Sequence, residues 1–418
     1  ALCFVSVISW SAYCLFYPGK LFGVFLCHHK EGAAVLSRWV KLVFQEKTSS
    51  PIFYDSDMLD RLDTIFQTVG FETSNLVVLL TRETQRRIWC AGEIASGILY
   101  KVNTVRVACD DYVELTSDEI ENIADIWTDA QKNAVEKLGM EMKNIATAFH
   151  KFKILPLIKL HRTGPLTDQV QTMQHVFKEC VNLQKHVNSR LSAVATQAIT
   201  RTSSEYEQAS LILIGNFSDV ESLTLCMVLQ RMLQRQLQAG AVVASGTSPS
   251  FTSADFESCQ YLVVVLTRGA LQSVDFAKLL VAGRASGRLE VVPVVADSSF
   301  LYPGPTFYEA FEAGKVLPLE ELTKEGLRAR RVMDAYKALF NVLALRFTAH
   351  GSETIQGTEV QEMQSRFRAL KGGALNVTKE EPSNDNEEET PATADLSGSK
   401  EQSTYVFRKE AHIQVMRF

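Results

Sequence analysis

Residues 77–82 read Val77-Val78-Leu79-Leu80-Thr81-Arg82, and 186 positions further on the chain reads Val263-Val264-Val265-Leu266-Thr267-Arg268. A short aliphatic run that breaks into Thr-Arg is what a strand covered on both faces and ending in a polar loop requires. The match extends beyond the strand. Between 77–97 and 263–283, seven of 21 positions are identical, with Ala91 on Ala277 and Gly97 on Gly283, and further on Asp111 falls on Asp297. An apolar strand alone could agree by chance, but agreement reaching Gly97 and Asp111 points to an internal duplication.

Working outward, Leu21–Leu26 is a first strand, and Ala33, Leu36, Trp39, Val40 and Val43 space a helix at threes and fours. Pro51–Tyr54 is a second strand, and Leu59, Leu62, Ile65, Phe66 and Val69 predict a second helix. The strand at 76–80 follows, then a helix near Trp89–Leu99 and a strand at Thr104–Cys109. Leu211–Ile214, Leu223–Leu237, Ala241–Ala244, Tyr261–Leu266 and Leu289–Val295 repeat the order. Strands alternating with helices predict an α/β fold: two flavodoxin-like, doubly wound parallel-sheet domains joined by a helical segment.

The expected organisation places one such domain at 20–115, reaching about 160 with its last helices, and a degenerate second one at 206–350. Between them lies a linking segment, 161–205, where Asp168–Ala195 reads as one amphipathic helix started by Gly164-Pro165. Val170, Met173, Phe177, Cys180, Leu183, Val187, Leu191 and Val194 line its apolar face. A helical extension is expected at 351–372. Residues 373–403, with six acids in Glu380–Glu389, cannot bury enough apolar surface to offset chain entropy and read as a disordered acidic linker. Residues 404–418 could add an edge strand or bind another molecule. The sequence starts at Ala1 rather than Met, which suggests a fragment. Its uncharged apolar segment 1–19 reads either as a truncated membrane helix over residues 1–17, giving membrane attachment, or as a buried element of the domain.

Composition removes several functions. The chain has 418 residues, 22% charged, with a net charge of −5, of which −4 falls in 373–418. With no positive excess to neutralise phosphates, nucleic acid is not an expected partner. Eight scattered cysteines without a C-x-x-C pair read as reduced thiols of a cytoplasmic protein, with no metal site expected. Phosphate-binding, nucleophile-elbow and dinucleotide fingerprints are absent from the sequence, and no cofactor is implied.

Chemistry is expected outside the carboxyl ends of the strands. The first strand delivers His28, His29 and Lys30 there, the second Asp55 and Asp57, and the third Thr81 and the stretch Trp89-Cys90-Ala91-Gly92-Glu93-Ile94. Trp89 and Glu93, four residues apart, share a helix face. They read either as a nucleoside-sugar site or as a core anchor with a solvated carboxylate, and the residues alone leave both open.

Residues 21–112 resemble a Toll/interleukin-1 receptor (TIR) domain. The likeness lies in Val24-Phe25-Leu26-Cys27-His28, Ile52-Phe53-Tyr54-Asp55, Leu76–Thr81 and, most specifically, Trp89-Cys90-x-x-Glu93-Ile94. The pattern is also similar to TIR-like proteins of dinoflagellate algae. The resemblance implies an intracellular signalling protein, cytoplasmic or the cytosolic part of a membrane protein, that docks other TIR-like domains or itself. It also implies a second activity, NAD⁺ glycohydrolysis. There Glu93 would be the catalytic carboxylate steadying the sugar cation as nicotinamide leaves, and Trp89, His28, Lys30, Asp55 and Thr81 would bind NAD⁺ as substrate. Two departures bear on this. The stretch Asp55–Leu62 lacks the glycine of the family's assembly loop, and Asp275 and Leu279 stand in the second copy where Trp89 and Glu93 stand in the first.

Overall fold

Each apolar run, buried on both faces, needs helices above and below it, and the chain supplies them in alternation. A computed structural model describes residues 20–58, 63–184, 209–236, 242–245, 256 and 259–373. The first sheet contains β1 (Phe22–His28), β2 (Ile52–Phe53), β3 (Thr73–Leu80), β4 (Asn103–Ala108) and β5 (Leu157–Lys159). The second contains β6 (Ala209–Ile214), β7 (Val242–Ser245), β8 (Tyr261–Leu266), β9 (Glu290–Val295) and β10 (Leu345–Arg346). All pairings are parallel. The spatial order is β2-β1-β3-β4-β5 in one sheet and β7-β6-β8-β9-β10 in the other, the same doubly wound order twice.

The helices that position the site are α1 (Lys30–Gln45), α2 (Ile88–Leu99) and α3 (Met142–Lys153) on the first sheet. Those that follow are α4 (Leu166–Glu179), α5 (Val220–Gln236), α6 (Val274–Ala285), α7 (Ala329–Leu339) and α8 (Glu353–Gly373). Residues matched across the 186-residue shift do matching work. The Arg82 amide donates to Asp111 Oδ2 at 3.2 Å, and the Arg268 amide donates to Asp297 Oδ2 at 3.0 Å. Each aspartate thereby holds the turn that leaves the central strand. Gly97 and Gly283 let their helices close onto that strand: a Cβ would fall 2.4 Å from Leu76 Cδ2 in one copy and 2.7 Å from Leu262 Cδ2 in the other.

The two sheets share one apolar core. Trp39, Val40 and Val43 of α1 and Leu225, Leu229 and Leu233 of α5 belong to the same buried cluster, together with Val170, Met173 and Val176 of α4. Its polar rim is stitched by Arg162, which donates to Gly32 O at 3.1 Å and Glu221 Oε1 at 2.7 Å, and by Arg235, which donates to Leu42 O at 2.7 Å.

Three sequence expectations change. The helix expected after β2 is reduced, among described residues, to Ile65–Gln67 and a wide turn, Thr68–Glu72; residues 59–62 lie outside the described residues. The helix expected over Asp168–Ala195 ends at Glu179. Cys180 turns to extended backbone, the Val181 amide donates to Asn75 Oδ1 at 2.7 Å, and the Gln184 amide donates to Ser50 Oγ at 2.9 Å. Side chains at the amino edge of the first sheet thus draw the chain out of helix. Val187, Leu191 and Val194 fall outside the described residues. The short edge strands β5 and β10 are additions, too brief and too exposed to register as apolar runs. Residues 1–19, with the apolar segment over 1–17, and residues 374–418, with the acidic and terminal segments, also lie outside the described residues. Among the described residues no helix is long and apolar enough to cross a membrane.

Candidate functional site

At the carboxyl end of β1, period-two alternation sends Cys27 and His28 to opposite faces. Cys27 enters the core beneath α2. His28 stacks on Tyr54 with ring centroids 5.3 Å apart; its Nδ1 is 3.2 Å from Leu26 O and its Nε2 is 3.9 Å from Asp55 Oδ1. Burial holds the His28 imidazole below its ordinary range, with Asp55 opposing in part. Lys30, largely exposed, pairs with Asp55 at 2.9 Å. His28, Lys30 and Asp55 therefore form one polar cluster at the exits of β1 and β2.

Glu93 lies in the second turn of α2 and points inward, only 7% exposed. Its carboxyl and the thiols of Cys27 and Cys90 all lie within 4.8 Å of one another, and the Cys27 thiol is its hydrogen-bonding neighbour. Burial pushes the Glu93 carboxyl up to about 8; the Cys27 hydrogen bond lowers it, Asp55 raises it and Lys30 lowers it. A carboxyl with that value is mostly uncharged at pH 7.

The other site residues divide between the outside and the interior. Trp89 is 38% exposed and packs its ring against Phe66, with centroids 6.1 Å apart. One turn separates it from Glu93, but the indole lies at the outer edge of α2 while the carboxyl faces β1. Thr81 is buried in the turn after β3, its Oγ1 2.9 Å from Thr84 Oγ1, serving backbone geometry there. The Cys90 thiol donates to the His28 carbonyl at 3.3 Å.

Asp57 leaves the cluster altogether. It accepts two hydrogen bonds from Arg38, at 2.7 and 2.8 Å, one from Lys41 at 2.6 Å and one from the Glu353 amide at 2.7 Å. Burial alone would raise its carboxyl, but Arg38 and then Lys41 hold it below the usual range. Arg38 also donates to Gly351 O at 2.8 Å. The turn after β2 is therefore clasped to the start of α8. Sequence reading missed both Cys27 as a neighbour of Glu93 and this clasp. The i, i+3 spacing puts Cys90 beside Glu93 from the sequence alone, but Cys27 lies 66 positions away and the clasp joins residues nearly 300 positions apart.

The equivalent edge of the second sheet is open. A cleft of about 710 Å³ lies between the exits of β6 and β8, bordered by Asn216, Asp219, Asp275, Lys324 and Glu325. Asp275, at the position matching Trp89, accepts from Ser218 Oγ at 3.2 Å.

No protein-family model and no curated protein sequence matches the chain. Among solved structures it is similar to the TIR domains of the activated Roq1 resistosome directly recognizing the pathogen effector XopQ. The TM-score is 0.27 at 16% identity, over 38% of this chain and 98% of that one. The α/β assignment rests on the strand order itself.

Proposed function

We propose that this chain is a TIR-like signalling protein that acts by domain–domain association, with itself or with another TIR-like domain, and that its first domain does not use Glu93 for catalysis. The observation that carries the reading is the placement of Glu93, buried against the thiols of Cys27 and Cys90, where burial pushes its carboxyl up to about 8. A neutral carboxyl cannot steady positive charge growing on a sugar. Association has a surface to work with. Phe71 and Tyr100, 58% and 49% exposed, pack ring against ring at a tilt with centroids 4.4 Å apart, beside exposed Leu99. Cys27, Cys90, Cys109, Cys180 and Cys226 are free thiols, as suits a reducing compartment.

The test has two arms. The purified chain, clustered at high local concentration with NAD⁺ at pH 7, should release no more nicotinamide than the Glu93→Ala variant. In sedimentation, Phe71→Ser with Tyr100→Ser should weaken self-association or capture of a TIR-like partner at least about tenfold, roughly the 1.4 kcal/mol expected of a modest interface anchor. Nicotinamide release above the Glu93→Ala level would overturn the reading.

A second reading, NAD⁺ glycohydrolysis, is favoured by one arrangement: partly exposed Trp89 lies on the same helix as Glu93, with Lys30 and Asp55 close enough to act on that carboxyl electrostatically. It requires Glu93 to ionise and to face the substrate, so release should climb with pH through about 8.

A further inference from the structure

Cys27, Cys90 and Glu93 form the one group of three metal-capable side chains found among the described residues, and all three are buried. They come from two rigid elements, the end of β1 and the first two turns of α2. An apolar core explains a buried cysteine without further assumptions. It does not explain a carboxyl placed against two thiols where, among the described residues, no lysine, arginine or histidine pairs with it. Burying such a group costs free energy unless something repays its desolvation.

We propose that Cys27, Cys90 and Glu93 bind a thiophilic divalent cation, zinc above all, with two thiolates, one carboxylate and a fourth position left for water or an incoming ligand. The donor chemistry fits. Two thiolates select zinc over magnesium or calcium, and a carboxylate oxygen is an accepted third ligand. The spacing fits as well. Tetrahedral zinc with bonds of about 2.0–2.3 Å holds its ligand atoms roughly 3.5–3.8 Å apart, so donors within 4.8 Å need to close by at most about 1.3 Å. Binding releases the two thiol protons and the carboxyl proton to solvent and no redox step is involved; three anionic donors against a divalent cation leave the loaded site with one net negative charge. The metal would tie α2 to β1 beneath Trp89, and Glu93 would serve as a ligand. The inference does not depend on the association reading and uses none of its surface.

The full chain, loaded with zinc and freed of excess, should retain about one zinc per molecule by elemental analysis. Cobalt in its place should give a thiolate-to-metal charge-transfer band of two-sulfur intensity. Cys27→Ser and Cys90→Ser should each halve that band and weaken binding at least about tenfold. Glu93→Gln should weaken binding with the band retained, and Cys180→Ala, away from the site, should change nothing. Should the cysteine variants fail to fold, the wild-type chain still decides. Zinc should slow alkylation of Cys27 and Cys90 at least about tenfold in mild denaturant, reversibly with chelator, and leave Cys180 unaffected. Retention of less than about a tenth of a zinc per chain, a cobalt band that survives the double cysteine variant, zinc-independent alkylation, or a Cys27–Cys90 disulfide in its place would each overturn the proposal.

Discussion

At the scale of single residues, the decisive fact is that Trp89 and Glu93 share a helix but not an environment. Helical spacing of four puts two side chains about 40° apart, close enough to share a face and far enough for that face to straddle a boundary. Here the boundary runs between solvent and β1: the indole stays at the rim on Phe66 while the carboxyl meets Cys27. The sequence made the pair legible, because its spacing is local. The neighbour that decides what Glu93 can do lies 66 positions away and became visible only with the strand in place. Burial has a consequence for stability. Glu93 in the metal-free native state keeps its proton up to about 8, whereas an unfolded glutamate loses it near its ordinary value of 4.5. The native state therefore binds the extra proton between those values, and stability falls as pH rises through that window, by up to about 1.4 kcal/mol per pH unit. Denaturant titrations of chelator-treated protein at pH 5 to 9 should show this decline. Glu93→Gln should flatten it, so that the variant gains on the wild type as pH rises.

At the scale of elements, strands such as β1, β3 and β8 were legible because each is buried on both faces, and an aliphatic run bounded by polar residues has few other uses. The end of α4 was not, since the apolar spacing continues past Glu179 while Asn75 and Ser50, from other elements, capture the backbone. The clasp of Asp57 by Arg38 and Lys41 was likewise hidden. Arg38 is almost wholly buried, so removing its partner strands a cation in the core. Asp57→Ala should cost roughly 3–5 kcal/mol in denaturant unfolding. Glu31→Ala, which breaks an exposed pair with Arg87, should cost under about 1 kcal/mol. The glycine contacts make a matched pair of tests. Gly97→Ala and Gly283→Ala force a Cβ onto Leu76 and Leu262 and should each cost about 1–3 kcal/mol. Leu76→Ala should suppress the first penalty and Leu262→Ala the second, in double-mutant cycles.

At the scale of the whole molecule, two sheets of the same strand order close over one apolar core between α1 and α5. Repetition was readable from the 186-residue shift, because strand, turn aspartate and helix glycine recur together. The shared core was not, since apolar faces on α1 and α5 do not announce their partners. If the core is common, the halves should lose structure together. Trp39→Ala, which empties a fully buried site on α1, should cost about 3–5 kcal/mol. Native-state hydrogen exchange should then show faster opening in β6 and β8 as well as in β1 and β3. Acceleration confined to the first sheet would mean that the two halves are energetically separate.

The account turns on Glu93 being enclosed and uncharged when no metal is bound. Infrared difference spectra of chelator-treated wild type against Glu93→Gln, taken across pH 5 to 9, read that state directly. The expected result is a protonated carboxyl band that persists at pH 7 and gives way to carboxylate near pH 8. A carboxylate signal already complete at pH 6 would contradict the account and return Glu93 to the catalytic candidates.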